Sequence, residues 1–212
     1  MLRFLDLPNA LTVLGALIAF AATVLAIDGR LHAALGVYLF AALCDLLDGP
    51  LARRFPATDD SRRFGAHLDT AVDACSFGFA PAIILVASGL RSPWGCGAAA
   101  ALIVAAVWRL AAFETTGLAG KGGLAGKGAS ATAAKFYLGL PSTYVGLVLP
   151  LAGLADFWRP EALHPVLAAA AWMLAVLMVS PLKIRKPHGP WYPALIAAGI
   201  AILAGHAVAA WR

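Results

Sequence analysis

Four aspartates lie within or beside two strongly apolar stretches of the chain: Asp45, Asp48, Asp69 and Asp73. An ionised carboxylate at the centre of a bilayer costs at least about 2.5 kcal/mol, so residues of this kind usually have a function. Asp45 and Asp48 are three residues apart, and Asp69 and Asp73 are four apart, so each pair lines one face of a helix. With a loop over residues 53–64 between them, the two helices are antiparallel neighbours that can bring all four carboxylates together.

Carboxylates in such a cluster repel one another, by roughly 4 kcal/mol for two charges at about 4 Å and an effective dielectric near 20. The cluster therefore requires protons, basic partners or metal ions. Carboxylate oxygens suit Mg²⁺ or Mn²⁺, and four of them can hold two such ions and clamp a diphosphate. Gly49, Ala52 and Gly65 leave space beside the carboxylates for a ligand. Arg53, at the membrane edge, can reach a phosphate with its planar set of donors.

The elements that must position these carboxylates are membrane spans. The chain is 61% hydrophobic and 13% charged, against about 45–50% and about 25% in soluble proteins. We predict an all-α integral membrane protein with one domain over residues 1–212, six core spans within 8–187 and an additional C-terminal span; six spans with a re-entrant segment is the alternative. Apolar stretches near the roughly 20 residues that cross a bilayer occur at 8–27, 31–52, 66–90, 93–113, 135–155, 164–182 and 191–210.

Lys and Arg are distributed unevenly among the short loops. An excess of these residues marks the cytoplasmic side, and placing the N-terminus inside puts most of the 16 of them there. The net charge of +5 is then concentrated on one face, where anionic headgroups and phosphates are met. We expect no nucleic-acid partner, because the basic residues do not form a contiguous soluble surface.

The aspartates belong to two longer patterns. Residues 45–53 read Asp-Leu-Leu-Asp-Gly-Pro-Leu-Ala-Arg, and residues 65–73 read Gly-Ala-His-Leu-Asp-Thr-Ala-Val-Asp. Together they resemble the DxxDGxxAR…GxxxDxxxD signature of the CDP-alcohol phosphotransferase family, and every specified position matches. The resemblance implies that Asp45, Asp48 and Asp69 bind two Mg²⁺ or Mn²⁺ ions, while Asp73 contacts one ion and acts as general base.

The same resemblance implies residues that bind the two substrates. Gly49, Ala52 and Gly65 would border the nucleotide. Asn9 and Thr12, in a family-like entry to the first span, would lie near it. The active site would face the cytoplasm, and the protein would be a homodimer.

Four further segments resemble the membrane-type phosphatidylserine synthases of this family. Residues 76–82 read SFGFAPA, and residues 109–113, 136–141 and 177–180 are similar to the RLARFN, YFxGLP and LMVS segments of those enzymes. The resemblance implies transfer of a phosphatidyl group from CDP-diacylglycerol to L-serine, giving phosphatidylserine and CMP. Arg109 and Lys135 are the candidates for binding the acceptor or a phosphate. Ala112 and Glu114 stand where the RLARFN segment has Arg and Asn.

Other functions stay open. The same chemistry could use inositol phosphate, glycerol phosphate or choline as acceptor, and the first two need a basic pocket to which Arg109 and Lys135 could contribute. A multi-span protein with buried Asp and Arg could instead be an ion-coupled transporter. Transporters often have internal repeats with interrupted helices in matching halves, whereas here all four carboxylates fall in the first half of the chain.

Overall fold

The computed structural model describes residues 6–52, 58–117, 136–185 and 191–211, with residues 47–52, 116–117, 136–138, 185 and 191–193 described by their backbone alone. Within these ranges the regular structure is helical apart from one short two-stranded ribbon. The elements in chain order are α1 (Leu7–Ile27), α2 (Leu31–Ala52), α3 (Asp59–Asp73), a π-helical turn (Ala74–Phe79), α4 (Ala80–Ala87), α5 (Pro93–Gly117), β1 (Phe136–Leu138), a 3₁₀ turn (Ser142–Tyr144), α6 (Val145–Gly153), two more 3₁₀ turns (Leu154–Phe157 and Pro160–Ala162), α7 (Leu163–Val179), β2 (Lys183–Arg185) and α8 (Trp191–Ala210).

Among the described residues, 4 helices are long and apolar enough to cross a membrane. They are Leu7–Ile27, the continuous Asp59–Ala87, Pro93–Thr115 and Pro160–Val179. Shorter apolar helices cover Leu31–Leu46, Ser142–Phe157 and Ala194–Ala210. The prediction of a helical integral membrane protein is confirmed, while the number of six core spans stays a prediction.

The helices pack through small side chains. α1 lies along α2, and α5 lies along α7. Small residues let helix backbones approach closely, which is how membrane helices gain packing without a hydrophobic driving force. The fully buried alanines of these four helices include Ala22, Ala34, Ala98, Ala106 and Ala171.

α3 begins before the apolar stretch that contains it. We predicted a span from residue 66 and a loop over 53–64, but the helix begins at Asp59. The Thr58 side chain accepts a hydrogen bond from the Ser61 N–H at 3.2 Å, and Asp59 and Asp60 lie in the first turn. A cap and acidic residues at the N-terminus stabilise a helix whatever its hydrophobicity. The predicted boundary is wrong for that reason.

The fifth apolar stretch, predicted as a span over 135–155, is helical only in its second part. Its first described residues form β1, which pairs antiparallel with β2 so that Phe136 lies opposite Arg185. Gly139 then has a φ of 71°, a conformation that ends regular structure and suits glycine. Pro141 follows and has no N–H to donate. The predicted start of this span is therefore wrong, and the ribbon is a departure from an all-α fold.

A buried polar chain holds α8 against the rest of the bundle. His206 is 1% exposed, and its Nε2 lies 2.8 Å from the Pro150 carbonyl. A carbonyl can only accept, so Nε2 carries the proton and Nδ1 accepts from His32 Nδ1 at 3.1 Å. His32 Nε2 in turn lies 2.6 Å from an Asp156 carboxylate oxygen. These bonds join α2, α6 and α8.

Candidate active site

Three of the four predicted carboxylates converge. Asp45 comes from α2 and Asp69 and Asp73 come from α3, and one oxygen from each lies within 4.8 Å of the others. All three residues are partly buried. Mg²⁺–O distances of about 2.0–2.1 Å place oxygens on opposite sides of an ion about 4 Å apart. Neighbouring ligand oxygens around such an ion are closer still, about 3 Å apart, so the three carboxylates could hold a hard divalent cation once their side chains move together.

The remaining predicted residues of the α2 motif are described only in part. The helix continues to Ala52, so the backbone at Asp48, Gly49 and Ala52 keeps the spacing that the sequence predicted. Their side chains lie outside the described part of the structure, as does the whole of Arg53. The roles assigned to these four residues stay predictions.

A π-helical turn follows Asp73 directly. It covers Ala74–Phe79, and such turns are frequent at functional sites because they redirect the side chains beside them. Tyr38 of α2, which is fully buried, donates its hydroxyl to the Ser76 carbonyl at 2.8 Å. This bond joins α2, which supplies Asp45, to the π turn that directly follows Asp73.

A small, open cleft lies beside the carboxylates. Asp45, Asp73, Thr12 and Ser76 line it together with apolar residues of α1, α2 and the π turn. The Ser76 side chain is 2% exposed, and its hydroxyl has no hydrogen-bond partner within the described ranges. The cleft therefore combines apolar walls with carboxylates and hydroxyls, as ligand sites typically do.

Asn9 and Gly65, both predicted to lie near a nucleotide, contact each other. A Cβ on Gly65 would lie 2.5 Å from Asn9 Oδ1, so glycine is what allows α1 to approach α3 here. Asp6 accepts a hydrogen bond from the Asn9 N–H at 3.0 Å and another from the Ser61 hydroxyl. Thr12 donates to the Pro8 carbonyl at 3.2 Å. The start of α1 is thus tied to the start of α3 beside the aspartates.

Arg109 lies within α5 and is 9% exposed. It is near enough to Asp45 for the two charges to interact. Glu114, one turn further along α5, accepts a hydrogen bond from the Thr70 hydroxyl at 2.6 Å and lies 3.8 Å from His67. Glu114 therefore joins α5 to α3. Lys135, the second candidate for the acceptor, lies outside the described residues.

Two hydroxyl residues that we did not predict also contact the carboxylates. Thr143 donates to Asp45 Oδ2 at 2.6 Å, and Ser142 lies 3.5 Å from Asp73 Oδ2. These pairs are 98 and 69 positions apart in the sequence, so no local pattern connects them. The available signal was the break at Gly139 and Pro141, which places two hydroxyls at the start of an apolar helix.

A helical membrane protein with a carboxylate cluster beside a partly polar cleft is the class that this fold and site define. A family model described as CDP-alcohol phosphatidyltransferase matches residues 5–179. The chain belongs to the CDP-alcohol phosphatidyltransferase family and is accordingly a transferase for phosphate groups.

Curated relatives carry three different names. A CDP-diacylglycerol–serine O-phosphatidyltransferase of Mycobacterium bovis is 31% identical over 96% of this chain and 71% of its own length. An archaetidylserine synthase of Methanothermobacter thermautotrophicus is 36% identical over 88% of this chain and 72% of its own length. A phosphatidylinositol phosphate synthase of Mycobacterium marinum is 33% identical over 81% of this chain and 68% of its own length.

Proposed function

We propose that this protein transfers a phosphatidyl group from CDP-diacylglycerol to the hydroxyl of L-serine, giving phosphatidylserine and CMP for phospholipid biosynthesis. The observation that carries the proposal is the convergence of Asp45, Asp69 and Asp73 beside the cleft. The names of the mycobacterial and archaeal relatives support serine as acceptor.

The four aspartates would hold two divalent cations, Mg²⁺ or Mn²⁺, with Asp48 completing the set that α2 and α3 present. Bound there, the cations would neutralise charge on the diphosphate and stabilise CMP as leaving group. The hard oxygen donors of Asp45, Asp69 and Asp73 and their mutual spacing support this assignment.

Asp73 would act as general base. In the proposed step, the serine oxygen forms a bond to the lipid-linked phosphorus, the bond from that phosphorus to the CMP oxygen breaks, and the serine hydroxyl proton passes to Asp73. A base must lie within hydrogen-bond reach of the proton it removes. Asp73 lines the cleft and lies at the junction of α3 and the π turn, which supports this role over Asp69, whereas Asp45, which also lines the cleft, has an oxygen that accepts from Thr143.

The donor would lie along α1, α2 and α3, bordered by Asn9, Thr12, Gly49, Ala52 and Gly65, with Arg53 reaching a phosphate. The close approach of Asn9 to Gly65 supports this placement, because it brings α1 to the edge of the cluster.

Arg109 and Lys135 would bind the acceptor. A buried guanidinium near Asp45 can meet the carboxylate of serine through paired hydrogen bonds. Inositol phosphate is the second candidate acceptor, favoured by the phosphatidylinositol phosphate synthase among the relatives. Glycerol phosphate and choline would require the same transfer chemistry with a different pocket.

The proposed arrangement in the membrane has six core spans within residues 8–187, α8 as an additional span and the active site facing the cytoplasm. The family match ends at residue 179, before β2 and α8, which supports treating α8 as an addition. The excess of Lys and Arg in loops on one side supports the orientation. The proposed assembly is a homodimer.

The test is CMP release by purified protein supplied with CDP-diacylglycerol and Mg²⁺ or Mn²⁺, with serine, inositol phosphate, glycerol phosphate or choline as acceptor. Release driven by serine is the expected result. Release driven only by another acceptor would overturn serine while keeping the chemistry. No release with any acceptor would refute CDP-diacylglycerol as the donor.

A further inference from the structure

We propose that Thr143 is a positioning residue that orients the Asp45 carboxylate for cation binding. The inference rests on the proposed function, since it concerns the metal site assigned there. Thr143 donates its hydroxyl to Asp45 Oδ2 at 2.6 Å. The threonine hydroxyl is the donor and the carboxyl oxygen is the acceptor. A distance this short is typical of a hydrogen bond from a hydroxyl to a charged oxygen.

The ribbon and the end of α7 position Thr143 beside Asp45. The Gly139 N–H donates to the Leu182 carbonyl at 2.8 Å, and the Leu140 N–H donates to the Leu177 carbonyl at 3.0 Å. These bonds fix the chain on both sides of α7's end before it turns into α6. Ser142 and Thr143 follow at once, and Ser142 is 2% exposed. The threonine is therefore held by backbone bonds that are independent of Asp45.

The contact constrains Asp45 in a way that packing alone does not. Asp45 sits on α2 and faces two carboxylates of α3 across the site. The Thr143 hydroxyl restrains one Asp45 oxygen, and so limits how the carboxyl group can rotate beside Asp69 and Asp73. Partners of this kind, which hydrogen-bond a ligating carboxylate, typically change metal affinity by 10–100-fold when they are removed.

Ser142 makes a weaker contact with the neighbouring carboxylate. Its hydroxyl lies 3.5 Å from Asp73 Oδ2, at the outer limit for a hydrogen bond. Adjacent residues of one turn thus reach carboxylates from two different helices, but only Thr143 has the short geometry of a strong bond. The proposal therefore concerns Thr143.

The experiment measures Mn²⁺ binding to purified full-length protein in detergent by electron paramagnetic resonance of the free ion. Thr143→Val removes the donor and keeps the shape, Thr143→Ala removes it with a smaller side chain, and Thr143→Ser keeps it. We expect the first two to raise the Mn²⁺ dissociation constant by about 10–100-fold, and Thr143→Ser to stay near the wild type.

The matched control is Thr23→Val. Thr23 is a buried threonine whose hydroxyl donates to the Phe20 carbonyl at 2.6 Å within α1. It lies more than three helical turns from Thr12, which lines the cleft. We expect Thr23→Val to bind Mn²⁺ like the wild type, and thermal denaturation of each variant establishes that it is folded.

Three results would overturn the proposal: unchanged Mn²⁺ affinity in folded Thr143→Val and Thr143→Ala, equal weakening in Thr143→Ser and Thr143→Val, or equal weakening in Thr23→Val. Absence of Mn²⁺ binding by the wild type would overturn it together with the metal site. The acceptor is tested separately, because the Mn²⁺ measurement contains no serine. A protein that releases CMP only with another alcohol would refute serine and leave the difference between the Thr143 variants intact.

Discussion

Replacing Gly139 by alanine should disrupt the proposed metal site, although Gly139 itself does not contribute a ligand to it. Gly139 has a φ of 71°, and left-handed backbone costs a residue with a Cβ roughly 1–2 kcal/mol. The added Cβ would also collide with the Met178 carbonyl oxygen, which belongs to the backbone of α7. A backbone atom cannot rotate away as a side chain does, so relief requires the ribbon to separate from α7.

Two other glycines separate the cost of the left-handed backbone from the cost of the collision. Gly29 has a φ of 78°, and a Cβ there would meet nothing within 4 Å, so Gly29→Ala carries the conformational cost alone. Gly89 has a φ of 102°, and its Cβ would lie 3.2 Å from the His164 side chain, which can move. Overpacking against a rigid neighbour adds about 1–3 kcal/mol. We therefore expect Gly139→Ala to cost about 2–5 kcal/mol of unfolding free energy, against about 1–2 kcal/mol for Gly29→Ala.

The assay is denaturation of the purified protein in detergent, combined with Mn²⁺ binding and CMP release per folded molecule. Gly139→Ala should also weaken Mn²⁺ binding, because Pro141 and Thr143 move with the ribbon. Gly29→Ala should leave Mn²⁺ binding unchanged. The reasoning is refuted if the two variants lose equal stability, or if Gly139→Ala is destabilised but binds Mn²⁺ normally.

Three further outcomes are expected. Asp73→Asn should lower the rate of CMP release by about 10²–10⁴-fold while the protein still binds the donor, measured by steady-state kinetics and equilibrium binding; an active variant removes Asp73 from the role of base. Gly65→Ala should raise the KM for CDP-diacylglycerol, because its Cβ displaces Asn9; an unchanged KM would exclude this contact from donor binding. His206→Leu should cost about 1–3 kcal/mol of unfolding free energy, because the Pro150 carbonyl loses its donor. CMP release per folded molecule should not change, since His32, the α2 residue that bonds to His206, lies about 20 Å along the helix from Asp45.

The sequence predicted what depends on local periodicity. The spacings of three and four residues place Asp45, Asp48, Asp69 and Asp73 on helix faces, and the described members of the set do converge. The helices α1, α2 and α5 begin close to the residues predicted from hydropathy. Both results follow because membrane helices satisfy their own backbone within the segment, so that a one-dimensional pattern carries most of the information.

The errors arise where contacts between distant residues decide the structure. Whether residues 136–138 form a strand depends on pairing with residues 183–185, and hydropathy of the fifth stretch does not contain that information. Thr143 follows this ribbon and the backbone bonds of Gly139 and Leu140 to the end of α7, which are also contacts between distant residues. The histidine chain of α8 likewise depends on α2 and α6, which contribute His32 and the Pro150 carbonyl.

The start of α3 is a different kind of error. Its first turns contain Asp59 and Asp60 and are polar, so hydropathy alone predicts a loop there. A threonine followed by two acidic residues is nevertheless a recognisable helix start. Capping residues outweighed hydropathy there. The consequence is functional, since the added turns carry Ser61, which binds Asp6 and joins α3 to the start of α1.

Hydrogen bonds from other parts of the protein hold the carboxylate cluster in place. Two carboxylates within 4.8 Å of each other would, if both were ionised, repel by at least about 3 kcal/mol at an effective dielectric near 20, which exceeds the typical 0.5–1.5 kcal/mol net contribution of one hydrogen bond. Thr143 holds Asp45, Tyr38 holds the π turn behind Asp73, and Glu114 holds α3 through Thr70. These bonds set the orientation of the carboxylates, but they do not remove the repulsion, and Arg109 lies near Asp45. In the proposed function, bound cations supply the positive charge that offsets this repulsion, and the cleft lined by Asp45 and Asp73 is where they would enter.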